Sequence, residues 1–178
     1  MKKWMIVFAF VSAMGMAAPS AAKESPIEMG VGYQGLIAGN YLNSLSVRTW
    51  LGENIGVETN AFYCRIDVDD PTQSKEKFAD LMALGLRLMY SAKNTDHSRF
   101  YTGLEYTYGE FEVIDLTDTV RIRFYGVFVG SEFQFAELPE LGFNFDIGYR
   151  VSEFENPNNS VDFDVDGISA TLGAHYYF

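Results

Sequence analysis

One cysteine, two histidines and two tryptophans are all that the 178-residue chain holds of those types. A single cysteine, Cys64, excludes an internal disulfide framework, so stability must come from packing and hydrogen bonding. With no nearby His and no Cys-x-x-Cys partner, Cys64 reads as a packed small residue rather than a reactive thiol. Positive charge is scarce too. Against 24 Asp and Glu stand 13 Lys and Arg, for a formal charge of −11. Nucleic acid rewards clustered Lys and Arg, so it is excluded as a partner. Beyond residue 22 there is no long apolar run, and mean hydropathy is close to zero. That excludes a helical membrane protein. It leaves a barrel open, because barrel strands alternate apolar and polar residues and average out.

The amino end has the layout of an export signal. Lys2 and Lys3 precede an apolar run from Trp4 to Ala18, and Ser20-Ala21-Ala22 leads into the polar Lys23-Glu24-Ser25. The run is short for a bilayer-spanning helix. The expectation is a signal peptide over 1–22, cleaved after Ala22, and one domain over 23–178. Cleavage would remove Lys2 and Lys3 and take the formal charge from −11 to −13.

What the rest of the chain has in quantity is period-two alternation and aromatic side chains, 15 Phe and 11 Tyr. Ile168, Ala170, Leu172, Ala174, Tyr176 and Phe178 share one face, and Gly167, Ser169, Thr171, Gly173, His175 and Tyr177 share the other. Leu84, Leu86, Leu88 and Tyr90 likewise oppose Gly85, Arg87 and Met89. The pattern predicts eight strands, near 27–38, 42–51, 55–66, 80–91, 99–112, 119–135, 141–154 and 161–178. The first and sixth are the least regular. The connections 52–54, 92–98 and 136–140 are compact, whereas 64–79 is long, acidic and contains Pro71. Such an even strand count with compact turns at one end predicts an all-β, up-and-down antiparallel transmembrane barrel.

The carboxyl end, Gly173-Ala174-His175-Tyr176-Tyr177-Phe178, resembles the signal by which outer-membrane barrels are recognised for assembly. The chain from 23 to 178 resembles the small eight-stranded barrels of the OmpA/OmpX type, through segments such as Leu45-Ser46-Val47-Arg48-Thr49-Trp50-Leu51 and Glu137-Leu138-Pro139-Glu140-Leu141-Gly142-Phe143. The resemblance implies an integral location in a Gram-negative outer membrane. It also implies contact with its lipid and lipopolysaccharide, and recognition by the barrel-assembly machinery through Leu172, Ala174, Tyr176 and Phe178. No peptidoglycan-binding domain is expected after the last strand. One such fold carries many functions, so the specific role and any extracellular partner stay open.

The inward-facing positions hold an uneven set of charges: Arg48, Arg87 and Arg150 against Glu28, Glu58, Glu105, Glu132 and Asp146. The interior of an eight-stranded barrel is filled by side chains, and buried charges there must pair. A structural network is therefore expected, with a narrow ion or small-ligand path as the alternative. Catalysis is not expected. His97 falls in a compact turn and His175 faces inward, with no nucleophile–base–orienter set in a plausible place. Asp162-Phe163-Asp164-Val165-Asp166-Gly167 matches the opening of a calcium loop, but Gly173 stands where the bidentate Glu belongs. No cofactor or metal site is assigned. With Asp67, Asp69, Asp70, Asp115 and Asp118, these carboxylates suit loose contact with divalent cations at a lipopolysaccharide surface. The leading expectation is a non-enzymatic barrel acting in envelope integrity or surface interaction through acidic outer loops. A soluble exported barrel of lipocalin type is the third reading.

Overall fold

The computed structural model describes residues 27–38, 43–68, 77–113, 119–156 and 161–178. The expected signal peptide lies outside them. Within them the chain forms eight strands: β1 (Ile27–Ala38), β2 (Ser44–Leu51), β3 (Ile55–Val68), β4 (Lys77–Asn94), β5 (Ser98–Val113), β6 (Thr119–Phe135), β7 (Leu138–Asn156) and β8 (Val161–Tyr177). Each pairs antiparallel with its neighbour in the chain, and β8 returns to β1, closing the barrel. Closure gives every strand a partner on each side, which is what hydrocarbon surroundings require of a backbone.

The alternation in the sequence becomes an inside and an outside. On β8, Ile168, Leu172 and Tyr176 are exposed while Ser169, Thr171, His175 and Tyr177 are buried. On β4, Leu84, Leu86, Leu88 and Tyr90 point out, and Arg87 and Met89 point in. The outside is thus an aliphatic band. Phe133, Phe135 and Phe143 interlock on it near the β6–β7 turn, the first and last stacked with centroids 5.6 Å apart.

Three short turns share one rim with the start of β1 and the end of β8. In the first, Gly52-Glu53-Asn54, Gly52 takes a φ of 64°, a left-handed conformation that glycine adopts without strain. Asn54 Nδ2 donates to the Ser91 carbonyl at 2.9 Å, and Asn94 Nδ2 to the Glu53 carbonyl at 2.6 Å, tying this turn to β4. Two turns are tighter than the sequence suggests. β4 continues through a bulge at Ser91/Lys93 to Asn94, so that turn is 95–97. β7 starts at Leu138, opposite Phe135, and the register then jumps to Gln134↔Gly142. Pro139 has no N–H to give a ladder, and the bulge absorbs it. The connection expected over 64–79 is also shorter. Cys64–Val68 pair in register with Lys77–Leu81, despite the carboxylates that made the stretch look like a loop.

The interior fills by setting large side chains against glycines. A Cβ on Gly56 would lie 2.6 Å from the Trp50 ring, on Gly103 2.5 Å from Phe128, and on Gly130 2.7 Å from Tyr101 and 2.1 Å from Asp146. An aromatic cluster of Trp50, Met89, Tyr101, Phe128 and Tyr177 fills the end nearer the turns. Leu81, Ile122 and Phe124, backed by Phe62, Cys64, Phe111 and Phe154, fill the other end. Inward positions along β4 run Leu81, Ala83, Gly85, Arg87, Met89, which places the charged layer between the two apolar ones. Ile122, Phe124 and Phe128 also explain the irregular β6: its inward face is apolar as far as Phe128, so alternation fades there.

Gly130→Val would drive a side chain into Asp146 and Tyr101, a clash expected to destabilise by about 1–3 kcal/mol. Gly167→Ala, whose new Cβ meets nothing within 4 Å, should change stability by no more than about 0.5 kcal/mol. Equilibrium urea unfolding of both variants in lipid vesicles checks the contrast.

Candidate functional site

The interior charges come from facing strands and meet across the barrel axis. Arg48 on β2 donates through Nε to Glu58 Oε2 at 2.7 Å, and its Nη1 lies 3.2 Å from Glu132 Oε2 on β6. Arg87 on β4 reaches three carboxylates: Glu58 at 3.3 Å, Glu105 at 3.6 Å and Asp146 at 2.9 Å. Its guanidinium also sits 3.8 Å from the centre of the Phe128 ring. Arg150 on β7 donates through Nε to Glu105 Oε1 at 2.6 Å, and its Nη2 also contacts that oxygen. All seven side chains are buried.

Three guanidiniums face four carboxylates among the described buried residues, so neutral donors must meet the remainder. They do so mainly at Asp146 and Glu132. Asp146 Oδ2 accepts from Gln34 Nε2 at 2.7 Å, Thr171 Oγ1 at 3.2 Å and Asn144 Nδ2 at 3.2 Å, and Oδ1 accepts from Tyr101 Oη at 2.6 Å. Glu132 accepts from Tyr177 Oη at 2.5 Å and from Trp50 Nε1 at 3.4 Å. Asn60 Nδ2 donates to Glu58 at 3.0 Å. Charge-assisted bonds of this kind are roughly twice as strong as neutral ones, which offsets much of the desolvation of the charges.

Of the eight charged residues named from the sequence, Glu28 stands apart. Its side chain is half exposed, at the rim beside the turns, where both Arg99 Nη atoms reach its Oε2 at 3.2 Å. Arg99 also lies 4.2 Å above the Trp50 ring. Glu28 faces inward by parity, but it sits near the start of β1, below the filled layers. The amides and hydroxyls that complete the network were not singled out in advance. Parity marks Gln34, Asn144 and Thr171 as inward, but not which carboxylate each would find: Gln34 and Asp146 are 112 residues apart.

His175 is fully buried, and its Nε2 is 2.6 Å from Ser46 Oγ. This Ser–His contact has no third member, because Nδ1 has no hydrogen-bond partner among the described residues. A hydrolytic triad needs an acid on that nitrogen. His97 lies in the 95–97 turn, where its carbonyl accepts from the Gln134 N–H at 2.9 Å. Asp162–Gly167 run as paired strand, Asp164 opposite Glu153 and Asp166 opposite Val151, not as a calcium loop. No group of three or more metal-ligating side chains occurs among the described residues. In the last strand Leu172 and Tyr176 are exposed on the outer face, Ala174 is half-buried there, and Phe178 N–H bonds to the Met29 carbonyl at 3.0 Å.

No protein-family profile matches the chain, and no curated protein matches it. Solved structures with a similar fold are small outer-membrane barrels. A major outer membrane protein of Thermus thermophilus shares 15% identity at a TM-score of 0.48, covering 85% of this chain and 99% of that one. Outer membrane protein AlkL shares 13% at 0.44, covering 92% and 97%. The N-terminal β-barrel domain of Pseudomonas aeruginosa OprF shares 14% at 0.41, covering 85% and 96%.

Removing one partner of this network should cost far more than removing a rim charge. Glu58→Ala leaves Arg48 and Arg87 short of a carboxylate and is expected to destabilise by about 3–5 kcal/mol, whereas Glu28→Gln should stay under about 1 kcal/mol. Arg48→Met combined with Glu58→Leu should cost less than the two single changes summed, since each removes the other's stranded charge. Urea unfolding in vesicles of these variants, with Arg48→Met and Glu58→Leu also made singly, measures the differences.

Proposed function

We propose that this chain is an integral barrel of the Gram-negative outer membrane that acts without catalysis, bracing the envelope and presenting acidic connections at the cell surface. One observation carries the reading: an interior packed with paired charges and capped by apolar layers, inside an apolar exterior. That polarity is the reverse of a soluble lipocalin-type barrel, which keeps its apolar face inward. It suits a wall in hydrocarbon, with the short-turn rim toward the periplasm and the longer connections outside.

The same filling argues against the alternative of a lumenal ion or ligand path. An ion would have to pass the Leu81–Ile122–Phe124 layer, displace Arg87 from its three carboxylates and then cross the Trp50–Tyr101–Tyr177 layer. Work is left for the two surfaces outside the lumen. Outer-leaflet lipid and lipopolysaccharide meet the band and the acidic connections, with divalent cations bridging; Asp69, Asp70, Asp115 and Asp118, expected from the sequence to hold those cations, lie outside the described residues. Leu172, Ala174, Tyr176 and Phe178 on and after β8 form the recognition element for the barrel-assembly machinery.

Reconstituted in planar bilayers at neutral pH, the chain should give no discrete conductance steps; regular steps would replace this reading with the channel. Expressed in a Gram-negative host, Phe178→Ala should lower the fraction that migrates as the compact form on unboiled SDS gels, without changing the boiled band. An unchanged folded fraction would remove the assembly role from that residue.

A further inference from the structure

The barrel wall has a step in it. β2 has eight residues, whereas β3 beside it has 14 and β4 beyond has 18. The β1–β2 ladder ends at Gln34↔Ser44 and the β2–β3 ladder at Leu45↔Ala61, while β3 goes on pairing with β4 as far as Val68↔Lys77. At this step lies a cavity of about 290 Å³, lined on the outer face by Tyr33, Leu45, Ala61, Tyr63, Met82 and Leu84. These residues belong to the same outward set as Leu86 and Leu88, so the hollow is continuous with the lipid-facing band. Its inner wall is Ser44, Phe62 and Ala83, and those three also bound a lumenal space of about 20 Å³. One layer of side chains thus separates the hollow from the interior.

We propose that this notch seats one acyl chain of an outer-leaflet lipid. The inference rests on the outer-membrane reading above. Its lining is mostly apolar, with Asn43 and Ser44 the polar residues at its edge, and water against the apolar part would forgo hydrogen bonds. A void would forfeit the dispersion contacts of every lining atom. A flexible hydrocarbon end entering from the band satisfies both constraints. The volume sits at the low end of the ~300–1,000 Å³ of small-molecule sites, which suits part of one chain and excludes a whole lipid. The seat differs from the rest of the lipid contact in being concave, so one chain is held in preference to its neighbours.

The test uses the folded chain in nanodiscs containing a phosphatidylethanolamine with a diazirine near the end of one acyl chain, with crosslinks mapped by mass spectrometry. Crosslinks at Tyr63, Met82 and Leu84 should exceed those at Leu104, Val127 and Ile147, which are on the whole more exposed, by about tenfold, the ratio given by about 1.4 kcal/mol of preference. Excess unlabelled lipid should compete the difference away. Ala61→Trp, or Leu45→Trp as a second filling variant, should abolish the excess and leave the other positions unchanged. Even labelling around the barrel overturns the seat. So does labelling by diazirine-bearing palmitate without labelling by the lipid, and so does an excess that vanishes on dilution of the protein, the mark of contact with a second copy. The gel shift between unboiled and boiled samples is read alongside. A shift with even labelling removes the seat and leaves the barrel; no shift removes both.

Discussion

The guanidinium of Arg87 touches carboxylates from three other strands, Glu58 of β3, Glu105 of β5 and Asp146 of β7, and the interior is arranged around it. A closed sheet of eight strands has room for side chains and little else. Once an arginine is buried there, its charge has to be met on several sides. Each carboxylate that meets it brings further demands. Glu58 also holds Arg48, Glu105 holds Arg150, and Asp146 gathers Gln34, Thr171, Asn144 and Tyr101. The bonds join strands distant in sequence, so the network fixes how the sheet rolls up as well as how it is filled.

The closed backbone and the filled interior solve different halves of one problem. Closure satisfies the N–H and C=O groups, without which strands could not stand in hydrocarbon. The network lets polar side chains take the inward positions, so that the outward ones are free to be Leu, Val, Ile, Phe and Tyr. Glycine mediates between the two. Gly56, Gly103 and Gly130 surrender their side-chain volume to Trp50, Phe128 and Tyr101, and a narrow barrel thereby holds three large rings.

Most of this frame was legible in the sequence, because a period of two is preserved when a strand has one side buried and polar and the other exposed and apolar. Strands β4, β7 and β8 show it almost without exception. Legibility failed where physics other than that period took over. β6 looked irregular because Ile122, Phe124 and Phe128 cap and line the interior with apolar groups. The ends of β3 and β4 looked like an acidic loop because charge density there outweighed alternation. Pro139 read as turn, although a bulge lets it enter β7. At the site, parity found the buried charges but assigned Glu28 to them, since parity carries no information on depth along the barrel. It could not find Ser46 with His175, or Gln34 with Asp146, whose meeting depends on closure.

Around the closed sheet, side chains alternate between an apolar exterior and a packed, charged interior. The most direct measurement is the set of nuclear Overhauser contacts between lipid acyl protons and the side chains of β8 in nanodiscs. Contacts are expected at Ile168, Ala170, Leu172, Ala174 and Tyr176, and none at Ser169, Thr171, His175 or Tyr177. Contacts at both sets, or at the second set alone, would contradict this alternation.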